Sequence, residues 1–449
     1  MPFNASGPRQ SAQAISADQR IWAIAGPAIL SNITVASIGL VDSWAVGQVP
    51  GAAELAGLAL GAYGLSSFGW ALSFLRMGTT GLVAQARGAR RTRQIMRILL
   101  RSAILAGLFG IFLWVIKSPA SEAMLWALGA QGAERDIAAA YITIRLWAAP
   151  FILLKMAVIG LLIGLQRTDV ALGLEVSVNA VNLALTTWFV LGLNMGAVGA
   201  AIASLIAESL AGIAALMLAT KALRLQLLRK MLMSAALWHI GAFTDILKVN
   251  GYLFARTLIL ILGFGLFLAN AQKMGTATLA ACHILLNFYV LQALTLDGIA
   301  YAAEALVGEA IGAGSRQQMR FWVVRSSLWA FGFGLLYLLG FSLAGEWLFH
   351  IFTSDAQVRA AAQPLYLWIA LTPPVAVACY QLDGVFIGAA QARPMFTTML
   401  VSLAGMQALI WSFMPAYGVS GLCAAFLGFF AMRGLGLIAA YPAMERRVV

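Results

Sequence analysis

Long apolar runs follow one another along almost the whole chain, separated by short polar segments. Each run approaches or exceeds the roughly 20 residues that an α-helix needs to cross a bilayer. The runs lie at 22–47, 55–82, 98–116, 137–165, 170–192, 196–220, 246–271, 277–311, 322–345, 360–390, 396–415 and 419–441. Strand-like alternation is not seen in the sequence, so the pattern predicts an all-α polytopic membrane protein with about twelve transmembrane helices.

The second half of the chain repeats the first at a constant offset of 224 positions. Residues that are identical at this offset include Gln48 and Gln272, Gly51 and Gly275, Pro150 and Pro374, Gly160 and Gly384, and Gly164 and Gly388. A duplicated half in a membrane protein usually places a substrate site between two helical bundles that alternate its access. The repeat therefore predicts two six-helix lobes related by a pseudo-two-fold axis along the membrane normal.

The apolar runs and the repeat together predict five regions. They are an N-terminal segment 1–20, an N-lobe 21–220, a linker 221–245, a C-lobe 246–441 and a tail 442–449. Residues 1–20 are polar and precede an apolar run longer than a signal-peptide core, so no cleaved signal is expected. The linker is basic at its start and then amphipathic, which predicts that it lies along the inner membrane surface.

Composition and charge placement also indicate a lipid environment. Of 449 residues, 61% are hydrophobic and 10% are charged, which leaves too little polar surface for a soluble particle. The net charge is +12, but the basic residues collect in alternate loops, which indicates membrane topology rather than nucleic-acid binding. Those loops and the C-terminal end contain Arg87, Arg90, Arg91, Arg93, Arg97, Lys221, Arg224, Arg229, Lys230, Arg316, Arg320, Arg446 and Arg447. Both termini are therefore expected in the cytoplasm.

Metal, nucleotide and catalytic chemistry have little support in the sequence. The three cysteines fall within apolar runs and the three histidines lie far apart, so neither a disulfide framework nor a metal site is expected. A phosphate-binding loop of the form Gly-x-x-x-x-Gly-Lys is not found. Because no nucleophile–base pair emerges, the chain is not expected to be an enzyme, and its energy is expected to come from a gradient or a partner.

Asp42 is the charge within a predicted span that most strongly suggests a function. An ionised group in hydrocarbon is costly and persists mainly when it is paired or used. The residue at the repeat offset is Leu266, so the acid does not belong to the shared scaffold. We interpret Asp42 as functional; the alternative is that it reaches water near the end of its helix.

Polar residues in the fifth and sixth spans are expected to face the same cavity as Asp42. Asn179, Asn182 and Thr186 are three and four positions apart, so they share one helix face. Ser204 in the sixth span is a further candidate. Hydrogen bonding between helices is the alternative explanation for such residues.

The second half contains charges within its own predicted spans, and none has a like-charged counterpart in the first half. They are Arg256, Asp297, Glu304 and Asp383. One interpretation is a buried salt-bridge cluster of these residues with Arg76 that fixes helix packing, and the other is contact with a substrate. Tyrosines near the acids would give a cationic compound cation–π contacts. These are Tyr289, Tyr301 and Tyr380.

Pro27 lies within the first predicted helix. Proline removes a backbone hydrogen bond and can kink a helix. A hinge at Pro27 that opens or closes the cavity around Asp42 is one hypothesis, and ordinary packing is the alternative.

Four stretches resemble the DinF branch of the MATE family of multidrug and toxic compound extruders. They are SNITV with GLVD between 31 and 42, FLRMGTTGL with AQA between 74 and 86, LDGIAYA with Glu304 after 296, and LDGVFIGA from 382. The resemblance spans nearly the whole chain. It implies the fold of the MOP superfamily, with twelve helices in two six-helix lobes. It also implies export of organic, often cationic or amphipathic, compounds driven by inward flow of protons or sodium.

The resemblance also implies roles for individual residues. Asp42 matches the first-helix carboxylate of the family, Asn182 matches its fifth-helix asparagine, and Ser204 stands where relatives often have threonine. Thr186 stands where many relatives have a second carboxylate. Because a sodium ion would favour that hard anionic ligand, its replacement makes proton coupling the expectation.

Two other function classes remain open at this point. A lipid-linked oligosaccharide flippase of the same superfamily would be expected to have a cationic central cavity, whereas acids outnumber bases among the intramembrane candidates. A membrane-embedded enzyme is disfavoured for the reasons above. The expected partners are small-molecule drugs or toxic metabolites and the lipid bilayer. The expected state is a monomer in the bacterial cytoplasmic (inner) membrane, with no resident cofactor.

Overall fold

The computed structural model describes residues 16–48, 52–222, 231–353 and 355–448. Part of each predicted region therefore lies outside the described residues: 1–15 of the N-terminal segment, 49–51 of the N-lobe, 223–230 of the linker, 354 of the C-lobe and 449 of the tail. The described residues are almost entirely helical, which confirms the predicted all-α class.

Helices of the first half succeed one another through short connections. They are α1 (Ala17–Gly47), α2 (Ala52–Leu72), α3 (Phe74–Gly88), α4 (Thr92–Val115), α5 (Lys117–Ala127), α6 (Gly132–Leu146), α7 (Ala149–Gly164), α8 (Thr168–Thr186) and α9 (Gly196–Ala222). α8 continues into a π-helical turn, Thr187–Gly192. α2 and α3 form one span, because only Ser73 separates them.

Helices of the second half are longer and have fewer breaks. They are α10 (Ile240–Gln272), α11 (Thr276–Gly312), α12 (Arg316–Phe352), α13 (Ala356–Ala362), α14 (Tyr366–Gly388) and α15 (Ala392–Glu445). A 3-10 turn, Gln363–Leu365, joins α13 to α14, and the two form one apolar span.

The number of spans agrees with the sequence pattern. Ten stretches of the described residues are long and apolar enough to cross a membrane, and the pair α6 and α7, bent by 55°, is an eleventh. α15 has 54 residues, which at about 1.5 Å per residue is more than twice the thickness of a bilayer core. Gly418 interrupts it with a positive φ of 56°, which glycine adopts without a Cβ clash. Counting α15 as two spans raises eleven to twelve.

The chain divides into two compact units. The first contains the described residues from Leu30 to Leu247, and the second contains those from Lys248 onward together with α1 up to Ile29. In the second unit, Asp18 is ion-paired with Arg325 at 2.6 Å, which fastens the start of α1. The predicted N-lobe began at residue 21, whereas the stretch before Leu30 belongs to the second unit.

Equivalent glycines make equivalent contacts in the two units. A Cβ added at Gly160 of α7 would lie 2.5 Å from the carbonyl oxygen of Arg76 on α3. A Cβ added at Gly384 of α14 would lie 2.5 Å from the carbonyl oxygen of Ala300 on α11. Gly160 and Gly384 are 224 positions apart, and so are Arg76 and Ala300. The sequence repeat therefore records a repeated helix contact in which only a glycine permits the close approach.

The described end of the predicted linker packs against α4. Arg101 donates from Nε to the carbonyl oxygen of Leu237 at 3.0 Å and from Nη2 to that of Ala236 at 2.6 Å. Leu237 is buried, whereas Met233 is 80% exposed. The buried guanidinium thus satisfies two carbonyl groups of a segment that has little regular structure. The location of this segment on a membrane surface stays a prediction.

Candidate functional site

Asp42 lies in the first unit, near the end of α1, with 1% of its surface exposed. Thr186 of α8 donates a hydrogen bond from its hydroxyl to Oδ1 at 3.1 Å. Ser204 of α9 donates to Oδ2 at 3.1 Å, and Tyr141 of α6 donates to the same atom at 3.3 Å. Three helices therefore present hydroxyl groups to one buried carboxylate.

Among the described residues, one guanidinium provides the positive charge beside this carboxylate. Nη1 of Arg145 lies 3.8 Å from Oδ2 of Asp42. It also donates to the hydroxyl oxygen of Tyr141 at 3.3 Å. Arg145 and Tyr141 are one helical turn apart on α6, so both point to the same side of that helix. The arrangement is a buried ion pair supported by hydroxyl donors.

The fifth-span asparagines contribute in two different ways. Asn182 donates from Nδ2 to the hydroxyl oxygen of Ser204 at 2.8 Å and so orients the donor to Asp42. Asn179 instead donates to the backbone carbonyl of Thr34 on α1. Oδ1 of each asparagine is buried and accepts no hydrogen bond within the described residues.

Of the predicted coupling residues, the structure brings four together, and Asn179 binds the backbone of α1 nearby. We call Asp42, Tyr141, Arg145, Asn182, Thr186 and Ser204 the Asp42 site. Tyr141 and Arg145 were not predicted from the sequence. Arg145 falls within the fourth predicted span, so the rule that a charge inside a span is paired or used should have selected it.

The second unit contains a separate buried ion cluster around Asp383 of α14. Nη2 of Arg433 lies 2.8 Å from Oδ2 of Asp383, and Arg256 of α10 is ion-paired with the same oxygen. Arg433 was not predicted from the sequence as a member of this cluster. Arg76 lies on α3 of the first unit, where it is 9% exposed, and its place in a salt-bridge cluster stays a prediction.

An aromatic group lies beside this cluster. The hydroxyl of Tyr380 donates to that of Tyr289, and the ring of Tyr289 lies 4.9 Å from the ring of Phe430. The guanidinium of Arg433 lies 5.6 Å from the centre of the same Phe430 ring. Asp297 lies about two turns after Tyr289 on the same helix, α11. Several aromatic side chains thus lie beside the Asp383 ion cluster in the second unit.

The remaining candidates lie on α11 and α1. Glu304 of α11 is 1% exposed, and its backbone carbonyl lies against Gly388. Tyr301 precedes it on α11 and is half-buried. Pro27 lies inside α1, which remains a continuous helix there, just before the point where α1 passes to the first unit. A hinge at Pro27 stays a prediction.

The described residues contain no group of three or more His, Cys, Asp and Glu side chains that would hold a metal ion. The buried cysteines Cys282, Cys379 and Cys423 are free. The chemistry of the Asp42 site is therefore that of a carboxylate, its hydroxyl donors and one guanidinium.

Comparison with known proteins identifies relatives along the whole chain. A family model described as MatE matches residues 27–185 and 253–413. The DNA damage-inducible protein F of Escherichia coli is 35% identical over 428 residues, which cover 94% of this chain and 92% of that protein. The human multidrug and toxin extrusion protein 1 is 25% identical over 360 residues, covering 76% of this chain and 60% of that protein.

Solved structures agree with the helical architecture. One is described as the outward-facing conformation of a multidrug resistance MATE family transporter of the MOP superfamily. It superposes with a TM-score of 0.84 at 19% identity and covers 96% of this chain and 95% of that chain. The MATE transporter VcmN of Vibrio cholerae, in its bent form, gives a TM-score of 0.81 at 20% identity and covers 95% and 97% of the two chains. At these identities the likeness establishes the fold.

Proposed function

The chain belongs to the MatE family of multidrug and toxic compound extrusion transporters, and we propose that it is a secondary active antiporter that exports organic compounds in exchange for protons. The observation that carries the coupling proposal is the burial of Asp42 against hydroxyl donors and one guanidinium. A buried carboxylate of this kind binds and releases one proton without any other ligand.

The ligands of the Asp42 site favour a proton over a sodium ion. Nη1 of Arg145 lies 3.8 Å from Oδ2 of Asp42, on a side of the carboxylate that a bound sodium ion would need. The hydroxyl groups around Asp42 donate their hydrogens to it, whereas a proton needs no shell of oxygen ligands. Thr186 adds no second negative charge. Protonation instead neutralises Asp42 in place.

Proton binding would change how the helices of the first unit are held together. The ionised Asp42 accepts hydrogen bonds from α6, α8 and α9 and pairs with Arg145. The protonated acid loses the ion pair, and one of its oxygens becomes a donor. Two protonation states thus favour two helix arrangements, which is what rocker-switch alternating access with proton exchange requires.

The exported compounds are proposed to be cationic or amphipathic. Asp297 lies on the same helix as Tyr289, which is hydrogen-bonded to Tyr380, so the second unit offers an acid and aromatic faces, the groups that attract an organic cation. Asp383 is already paired with two guanidinium groups, so we assign it to helix packing in this proposal. The flippase alternative is not favoured, because the named relatives are multidrug and toxin transporters. Proteins of this family are not enzymes.

The chain is a multi-pass membrane protein, and we propose the bacterial cytoplasmic (inner) membrane as its location, with both termini on the cytoplasmic side. The clustering of arginines in alternate loops supports this orientation. Both repeats lie in one chain, which supports a functional monomer.

The test is efflux of a fluorescent cationic dye from proteoliposomes under an imposed pH gradient and, separately, a sodium gradient. The native protein is expected to move dye with the pH gradient, and Asp42→Asn is expected to lose this transport. Asp169→Asn is a matched control, since Asp169 is exposed and paired with Arg167 at the start of α8. Sodium-driven transport, or proton-driven transport that survives in Asp42→Asn, would refute the proposed coupling.

A further inference from the structure

A second group of buried charges lies in the first unit, outside the Asp42 site. Nζ of Lys155 on α7 lies 3.2 Å from Oε2 of Glu175 on α8 and 2.9 Å from Oε2 of Glu208 on α9. The three residues are 5%, 3% and 8% exposed. We call them the Lys155 cluster. Oε2 of Glu208 accepts no hydrogen bond within the described residues, although it lies close to the ammonium group.

The Lys155 cluster lies on the same helix faces as the Asp42 site. Glu175 is seven residues before Asn182 on α8, two turns along the same face, and Glu208 is four residues after Ser204 on α9, one turn or about 6 Å away. Glu175 and Glu208 are therefore both farther than Asn182 and Ser204 from the connection between α8 and α9. One polar stripe on each helix therefore joins the two groups.

Short steps along α9 link the two groups. Arg145 lies 3.8 Å from Asp42, Ser204 donates to the same carboxylate, and Glu208 lies one turn after Ser204. Glu175 and Glu208 share the ammonium group of Lys155. The connected network therefore contains three carboxyl groups and two cations, which are Asp42, Glu175, Glu208, Arg145 and Lys155. With every group ionised, the network would carry one uncompensated negative charge in a buried region, which is strongly unfavourable.

Other charged groups on the surrounding helices do not correct this imbalance at Glu175. The buried guanidinium of Arg101 on α4 is bound to carbonyl groups. Arg76 on α3 is buried as well, but within the described residues the ion pairs of Glu175 and Glu208 are both with Lys155. In the second unit, by contrast, Asp383 has two guanidinium partners.

We propose that the Lys155 cluster is a second proton-binding position and that it shares one exchangeable proton with Asp42. This inference deepens the proposed proton coupling. When Asp42 holds the proton, Arg145 and Lys155 balance the two glutamates. When Asp42 releases its proton, Arg145 pairs with it, and the cluster takes up one proton from water on Glu175 or Glu208. One O–H bond is lost and one is formed, so the net charge of the network stays at zero.

The test is infrared difference spectroscopy of the purified protein in lipid, without substrate, at neutral pH. The carbonyl band of a protonated carboxylic acid is compared between the native protein and each variant, so that unrelated acids cancel. Glu175→Gln and Glu208→Gln each leave two acids with two cations. Each is expected to fold and to lose one carboxylic-acid band, whereas Asp169→Asn is expected to leave the spectrum unchanged. Lys155→Gln is expected to gain a band, because three acids then face one cation.

Retention of the band in both glutamine variants would overturn the inference, since Asp42 would then hold its proton independently of the cluster. An unchanged band in Lys155→Gln would overturn it as well. The spectra do not depend on transport, so the shared proton and the proton antiport are tested independently. Failure of dye efflux in the native protein, with the expected spectra, would contradict antiport and leave the shared proton in place.

Discussion

Replacing Gly160 by alanine is expected to force α7 away from α3. The added Cβ would lie 2.5 Å from the carbonyl oxygen of Arg76. Carbon–oxygen contacts between packed elements are normally about 3.3–3.6 Å, so the helices must separate by about 0.8 Å. The contact at Gly384 is the same, with 2.5 Å to the carbonyl oxygen of Ala300, so Gly384→Ala should strain α14 against α11 equally.

Both variants are expected to lower stability despite the better helix propensity of alanine. Overpacking costs about 1–3 kcal/mol, and backbone atoms on the partner helix leave little room for relaxation. Alanine in place of glycine returns up to about 1 kcal/mol within a helix. The net loss is thus up to about 2 kcal/mol for each variant, and the two should add, because they lie in different units.

The measurement is thermal unfolding of the purified protein in detergent, followed by tryptophan fluorescence. Gly107→Ala on α4 and Gly265→Ala on α10 are matched controls, because a Cβ at either position meets nothing within 4 Å. The controls are expected to unfold at the native temperature or slightly above it, and the two test variants below it. If Gly160→Ala and Gly384→Ala unfolded no lower than their controls, the close-contact explanation of the repeat would be refuted.

Three further perturbations test the sites. Asp383→Asn leaves two buried guanidinium groups without their carboxylate and is expected to cost about 3–5 kcal/mol in the same unfolding assay; an unchanged unfolding temperature would contradict the assigned packing role. Ser204→Ala removes a hydrogen bond to a charged group worth about 1.5–3 kcal/mol and is expected to reduce proton-driven dye efflux about tenfold or more, whereas Ser204→Thr keeps the hydroxyl and should transport. Pro27→Ala is expected to slow efflux while raising the unfolding temperature, and normal transport would argue against a hinge.

Predictions that depended on hydropathy proved dependable. The twelve apolar runs correspond to the observed spans, including the division of α15 at Gly418, because each residue contributes to the transfer free energy of a span without reference to its distant neighbours. The repeat was also visible in the sequence, because the same close helix contact requires glycine at both Gly160 and Gly384. Asp42 stood out because a charge in an apolar run is visible in one dimension.

The sequence did not show which side chains pair with one another. Extending the polar face of α8 by one more turn from Asn179 leads to Glu175, and the fourth predicted span contains both Arg145 and Lys155, so the signals were present. The sequence did not indicate how these residues pair. Asn179 lies on the expected face yet donates to the carbonyl of Thr34, whereas Asn182 orients Ser204.

The sequence by itself determined the membrane class, the number of spans and the duplication, and it singled out Asp42 as a candidate. Only the tertiary structure decided that Arg145 balances Asp42, that Lys155 bridges Glu175 and Glu208, and that the start of α1 belongs to the second unit. The physical reason is the separation along the chain over which each effect acts. Burial in lipid is a sum over local residues, whereas an ion pair depends on the rotation and depth of helices that lie far apart in the chain.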